Sequence, residues 1–61
     1  MELKDRLILL RKEKRMTQAE LAEALNISRQ AISRWETGIA TPNSENFIEL
    51  SKIYGVPVDL I

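Results

Sequence analysis

The chain of 61 residues fits a single small domain, and its 44% hydrophobic content is enough for one compact core. Its 9 basic and 9 acidic residues give a net charge of zero, and it contains no cysteine and no histidine. Disulfides, thiolate nucleophiles and thiolate metal sites are therefore excluded, and the commonest metal ligand and acid–base residue are both missing. We expect no cofactor, no metal site and no enzymatic activity.

The N-terminal segment does not have the pattern of a targeting sequence. It reads MELKDRLILL, with acids mixed among bases, and it lacks the basic start and small-residue cleavage site of a signal peptide. No apolar run approaches the roughly 20 residues that cross a bilayer. We expect a cytoplasmic protein that does not act at a membrane.

Apolar residues recur at helical spacing from the start of the chain. Leu3, Leu7 and Leu10 predict an amphipathic first helix over residues 2–14. Leu9 lies on the side of this helix opposite the leucine stripe. We therefore expect Leu9 to be exposed in a monomer.

The second predicted helix covers residues 17–25 and has a signal at each end. Thr17 and Glu20 have the spacing of a capping box, in which each side chain bonds the backbone amide of the other. Asn26 ends the helix, because asparagine tolerates the left-handed conformation of a tight helix exit.

Three more helices are predicted by their start and stop residues, and no segment alternates with the period of a strand. Ser28 and Asn43 are good N-caps, Pro57 begins the last turn, and Gly38 and Gly55 end the third and fourth helices. The predicted ranges are residues 28–36, 44–54 and 57–61. The inward helical phases converge on a predicted core of Leu7, Leu10, Leu21, Ala22, Leu25, Ile32, Trp35, Phe47 and Leu50.

Charge is distributed unevenly along the chain although the total is zero. Residues 4–34 hold eight bases and four acids, a local charge of +4, whereas residues 35–61 hold one base and four acids, a local charge of −3. The local field matters more for binding than the sum, so one basic face is compatible with a nucleic-acid partner.

The third helix divides into two chemically different sides. Ile32 and Trp35 cluster on one side at 100° per residue, which places Trp35 in the core and not on a stacking surface. The opposite side carries hydrogen-bonding residues whose arginine and amide groups match guanine and adenine edges. These residues are Arg29, Gln30, Ser33 and Arg34.

Two stretches, RLILLRKEKRMTQAELAEALNISRQAISRWETG and TPNSENFIELSKIYGVPVDLI, resemble the lambda-repressor-like helix-turn-helix family, also called the XRE family. The resemblance covers almost the whole chain, and the combined spacing of Gln18, Ala22, Asn26, Ile32 and Trp35 is highly specific. It implies an all-α, compact five-helix domain whose third helix lies in the major groove of double-stranded DNA.

The resemblance also implies roles for individual residues. Gln18 would touch a phosphate and brace the first residue of the third helix, and Arg11 and Glu36 would form a partly buried, structural ion pair. The residues expected to face the bases are Ser28, Arg29, Gln30, Ser33 and Arg34. The residues expected at the phosphates are Gln18, Thr17, Arg15, Thr37, Thr41 and Asn43.

Three positions depart from the family pattern. Arg29 stands where phage repressors often have glutamine, so a different base is expected there. Asn26 replaces the more usual glycine at the turn. Ser44 replaces an apolar residue, which predicts looser packing at the start of the fourth helix.

The resemblance implies a sequence-specific transcriptional regulator, expected to be a repressor, that acts as a homodimer on a near-palindromic operator. The alternative is a protein-interaction or antitoxin-like module with the same fold. Ile8 and Leu9, which we expect to be exposed, and the apolar C-terminal residues VDLI favour this alternative.

Overall fold

The computed structural model describes all 61 residues and contains only helices and turns. The chain forms α1 (Leu3–Glu13), α2 (Gln18–Leu25), α3 (Arg29–Thr37) and α4 (Ser44–Tyr54), followed by a 3₁₀ turn at Val58–Leu60. None of these helices has the length and apolar character that a membrane span requires. The all-α class is confirmed.

The prediction of a fifth α-helix over residues 57–61 is wrong. Leu60 and Ile61 donate backbone hydrogen bonds to Pro57 and Val58, which is the i to i+3 pattern of a 3₁₀ turn. Pro57 is extended, with φ −60° and ψ 149°, and provides no side-chain cap. The Ile61 amide bonds the Val58 carbonyl and not that of Pro57, so no i to i+4 bond of an α-helix forms here.

The helix ends follow the predicted local chemistry. The Thr17 hydroxyl accepts the Glu20 amide at 3.0 Å, and the Thr17 amide donates to the Glu20 carboxylate at 2.8 Å. Asn43 forms a second capping box, with Asn46 as its partner. Asn26 is left-handed, with φ 56°, as expected.

One left-handed residue was not expected. Arg15 has φ 57°, a conformation that costs most non-glycine residues roughly 1–2 kcal/mol. It lies just after α1, where the amide of Met16 reaches back to the carbonyl of Arg11 at 3.2 Å. The tight exit from α1 is therefore made by an arginine, a residue type that gives no turn signal.

Seven apolar residues form the buried core. Six of the predicted core residues are among them, whereas Leu10, Leu25 and Phe47 are only half-buried, because a domain of this size buries only about 60% of the surface of its unfolded chain. Trp35 is buried as predicted and Leu9 is exposed, but Ile8 is half-buried and offers less free apolar surface than expected. The core residues are Leu7, Leu21, Ala22, Ile32, Trp35, Leu50 and Tyr54.

Two branched residues on α4 allow a direct test of this core. Leu50 is 0% exposed and Ile48 is 50% exposed. We expect Leu50→Ala to lower the free energy of unfolding by about 2–5 kcal/mol through lost burial and a residual cavity. Ile48→Ala is the matched control and should cost less than about 1 kcal/mol, because its side chain is half in solvent. Equal losses in urea denaturation would contradict this assignment of the core.

Candidate DNA interface

The turn between α2 and α3 positions α3 on the surface. Asn26 reverses the chain in the left-handed conformation, and the Ile27 amide then donates to the Ala22 carbonyl at 3.0 Å. The Ser28 hydroxyl accepts the Ala31 amide at 3.2 Å and starts α3. Ala22 is buried and small, which allows α3 to approach α2 closely.

The two sides of α3 are separated as expected. Ile32, Trp35 and Glu36 are buried, while Arg29, Gln30 and Arg34 are exposed. Ser28 is exposed but uses its hydroxyl oxygen as a helix cap, and Ser33 is half-buried. The exposed face therefore presents two guanidinium groups and one amide within six positions of the chain. Removing its arginines would not disturb the apolar side of the helix.

The residues predicted at the phosphates are exposed, except for half-buried Gln18. Several of these side chains are already hydrogen-bonded within the chain, and this limits the donors that they have available for a phosphate. Thr17 and Asn43 use their oxygens as caps and keep a free donor, which is the group a phosphate requires. The Thr37 hydroxyl instead donates to the Ser33 carbonyl at 2.9 Å, so it has no proton left for a phosphate in this rotamer.

A surface groove brings one basic residue of α1 beside the loop that follows α3. Lys4 lines this groove, of about 290 Å³, together with Thr37 and Thr41. A Cβ atom added at Gly38 would lie 3.3 Å from the Lys4 Cδ atom, so the lysine stem packs closely against this glycine. No local pattern links Lys4 to a loop more than thirty residues later, and only the packing of α1 reveals the proximity.

A continuous chain of hydrogen bonds joins the interior to the exposed face of α3. Arg11 and Glu36 form the expected ion pair, with the Arg11 Nε atom 2.7 Å from Oε2 of Glu36 and NH2 2.9 Å from Oε1. The Gln18 amide nitrogen donates to the same Oε1 atom at 3.0 Å. Arg29 then donates through NH1 to the Gln18 carbonyl oxygen at 3.1 Å. Gln18 therefore braces the first residue of α3.

The ion pair is largely withdrawn from solvent, with side-chain exposures of 12% for Arg11 and 5% for Glu36. Burial by itself raises the pKa of the Glu36 carboxyl, but hydrogen bonds from Arg11 and Gln18 outweigh it and hold this pKa below its ordinary value. The hydrogen bond to Glu36 raises the pKa of Arg11 in turn.

Tyr54 is the remaining polar group beside this pair. Burial, together with the negative charge of Glu36, raises the pKa of its phenol to about 12. Its hydroxyl has no hydrogen-bond partner. Tyr54 therefore stays neutral at physiological pH and contributes to this region chiefly as a packed aromatic ring.

Replacing Glu36 tests how much the Arg11–Glu36 pair contributes to the free energy of unfolding. Glu36→Gln leaves the Arg11 guanidinium without its counter-charge, so we expect a loss of about 3–5 kcal/mol in the free energy of unfolding at pH 7. The folded-state pKa of Glu36 lies below 4.5, so the contribution is present above this pH and is lost as pH falls through the folded-state pKa. The difference between wild type and variant should therefore shrink in urea titrations at progressively lower pH.

Glu49→Gln is the matched control, because Glu49 forms an exposed ion pair with Lys52 at 3.5 Å. Exposed pairs contribute at most about 1 kcal/mol, and we expect this variant to stay within that range. Equal effects of the two substitutions would show that the Arg11–Glu36 pair behaves as a solvated pair.

Comparisons with known proteins agree with this architecture. The family model described as "Helix-turn-helix" matches residues 7–61. The chain is 46% identical over 59 residues to the HTH-type transcriptional activator BcrR of Enterococcus faecalis, covering 97% of this chain and 29% of that protein. It is 41% identical over 49 residues to the HTH-type transcriptional regulator DicA of Escherichia coli, covering 80% and 36% respectively.

A third relative belongs to a differently named group. The chain is 37% identical over 54 residues to Multiprotein-bridging factor 1b of Arabidopsis thaliana, covering 88% of this chain and 38% of that protein. The chain thus spans about a third of the length of the curated relatives it matches. No solved structure matches it significantly. The match over residues 7–61, together with the paired helices α2 and α3, shows that the chain belongs to the helix-turn-helix family.

Proposed function

We propose that this domain binds double-stranded DNA in a sequence-specific manner and regulates transcription. The observation that carries the proposal is the exposed polar face of α3, opposite the buried Ile32 and Trp35. A helix fits the major groove, and its exposed side chains then meet the base edges. This face can enter the groove without disturbing the core, so binding requires no unfolding of the domain.

In this proposal, side chains in the first turn of α3 contact the base edges and read the sequence. The Arg29 guanidinium suits the two acceptors of guanine, and the Gln30 amide suits adenine. Ser33 and Arg34 lie further along the helix on the same polar side and extend the contact. Ser28 uses its hydroxyl oxygen as a cap and keeps the hydroxyl proton available.

Phosphate contacts supply affinity and register, whereas base contacts supply sequence preference. Arg15, Thr17 and Asn43 keep donors available to the backbone, and Thr41 lies exposed in the groove that Lys4 also lines. The local charge of +4 over residues 4–34 attracts DNA to this half of the chain. Gln18 is linked to Arg29, so replacing it would affect more than a phosphate contact.

One domain reads only a few base pairs, so selective binding calls for a second copy. We therefore propose a homodimer on a near-palindromic operator. Exposed apolar side chains near the C-terminus, with Val58 43% and Leu60 57% exposed, supply surface for such an assembly. The cytoplasm remains the expected location for a regulator of this kind.

The direction of regulation depends on where an operator lies relative to a promoter. Repression stays a prediction, since the relative with 46% identity is named an activator. A protein-binding role is the second candidate, because another relative is named a bridging factor and Ile39 beside α3 is 76% exposed. Failure to retain any DNA sequence while a protein partner binds the polar face of α3 would favour this second role.

Substitution of Arg29 tests the readout assignment. We expect Arg29→Ala to cost about 1–3 kcal/mol on a duplex selected from a random library by the wild type, and to relax preference at one base pair. Thr41→Ala should instead weaken the selected and scrambled duplexes by the same factor, because a phosphate contact carries no base information. Dissociation constants would be measured at one fixed salt concentration.

Lys52→Ala is the matched control for lost positive charge, since Lys52 lies on α4 and not on α3, and its side chain is 69% exposed. It should leave both affinities nearly unchanged. Affinity of the wild type should also fall with salt, with a log–log slope of about −0.9 per neutralised phosphate. If Arg29→Ala lowers both affinities equally, Arg29 is a backbone contact and another residue reads the base.

Assembly on DNA gives a separate prediction. Two copies of the chain should bind one selected duplex with half-sites about 34 Å apart, which is one turn of the double helix. Inserting five base pairs between the half-sites turns them to opposite faces and should abolish the gain from the second copy. Sedimentation of protein–duplex mixtures measures the stoichiometry, and tight one-to-one binding on a two-site duplex would contradict the dimer.

A further inference from the structure

We infer that Glu36 is a positioning residue for base readout, acting on Arg29 through the amide of Gln18. This inference rests on the proposed function and adds a residue that does not itself reach the DNA. Glu36 is 8% exposed and lies on the buried side of α3, whereas Arg29 lies on the exposed side. The two are connected by the hydrogen bonds of Gln18 alone.

The direction of these hydrogen bonds is set by chemistry. An ionised carboxylate only accepts hydrogen bonds, so Glu36 can engage only the amide nitrogen of Gln18. The Gln18 carbonyl oxygen must then point the other way, toward the start of α3. An arginine only donates, so Arg29 fits the acceptor that it meets there, at 3.1 Å. One orientation of the Gln18 amide satisfies both neighbours and the reverse satisfies neither.

Glu36 is itself held firmly enough to impose this orientation. Two nitrogens of Arg11 bind its two oxygens at 2.7 and 2.9 Å, and Arg11 is anchored by a further bond to the Met16 carbonyl at 2.9 Å. The carboxylate plane is therefore fixed by α1. Gln18 retains one amide proton beyond the one given to Glu36, so a phosphate contact does not compete with the bond to Arg29.

The consequence for recognition is that Arg29 is partly ordered before DNA arrives. A side chain ordered in advance loses less conformational freedom on binding and tolerates fewer alternative contacts. An amide at position 36 offers both a donor and an acceptor, so Gln18 can then bond in either orientation. In one of these two orientations the Gln18 amide nitrogen faces Arg29, and Arg29 loses its acceptor. The preference for one base pair over another at the position that Arg29 contacts then falls.

The test uses Glu36→Gln and two duplexes. The first duplex is the sequence that the wild type selects from a random library, and the second differs from it at the base pair whose preference Arg29→Ala removes. We expect the ratio of the two affinities to fall by about tenfold, within the range that one bidentate contact supplies. Glu23→Gln on the exposed side of α2 makes the same change of charge and should leave the ratio unchanged.

A rescue variant separates positioning from a purely structural role. The double variant combines Glu36→Gln with Gln18→Glu. The amide at position 36 then donates to the carboxylate at position 18. That carboxylate can only accept hydrogen bonds, so it also accepts one from Arg29, as the Gln18 carbonyl oxygen does in the wild type. The ratio should return toward the wild-type value even though the new negative charge near the phosphates lowers affinity for both duplexes. A general loss of stability would lower the affinity for both duplexes but would not restore the ratio of the two affinities.

Gln18→Leu covers the case in which Glu36→Gln does not fold, because it leaves the Arg11–Glu36 pair intact. It should lower the same ratio, whereas Thr41→Ala should not. An unchanged ratio in folded Glu36→Gln, or in Gln18→Leu, overturns the inference while leaving sequence-specific binding in place. If the wild type selects no sequence from the library, the proposed function itself fails.

Discussion

The carboxylate of Glu36 is the point at which three helices of this domain are joined. Arg11 on α1 and Gln18 on α2 donate hydrogen bonds to it, and Glu36 itself lies on α3. A carboxylate that stays buried without its partners is strongly unfavourable, so α3 packs favourably here only in the arrangement that keeps Arg11 and Gln18 against Glu36. The placement of α3 against α1 and α2, and with it the orientation of the polar face, depends on this interaction.

A small hydrophobic core makes such a polar tie important. The hydrophobic core cluster contains only seven buried residues in a chain of 61, and several of its neighbours are half in solvent. Hydrophobic burial is non-directional and specifies that the helices meet, whereas a bidentate ion pair also specifies how they are rotated. Orientation matters here because a modest rotation of α3 would move Arg29 and Gln30 away from the surface that faces DNA in the proposed function.

The side chains of α3 combine support and recognition within nine residues. Ile32 and Trp35 hold the helix in place, and Arg29 and Gln30 are exposed on the other side. Sequence periodicity predicts this division because side-chain direction along a helix repeats every 3.6 residues. Periodicity overstated the burial of Leu10, Leu25 and Phe47, since it reports direction and not the depth of the surrounding layer.

The sequence by itself determined the all-helical class, the helix caps and the chemistry of the polar face, because these depend on residues within a few positions of each other. The Thr17–Glu20 box and left-handed Asn26 are such local features. Only the tertiary structure decided that the Gln18 amide points its oxygen at Arg29 and that Lys4 lies beside Gly38. These contacts join side chains or backbone from different elements, and their direction follows from how the helices pack, which no pattern within one helix encodes.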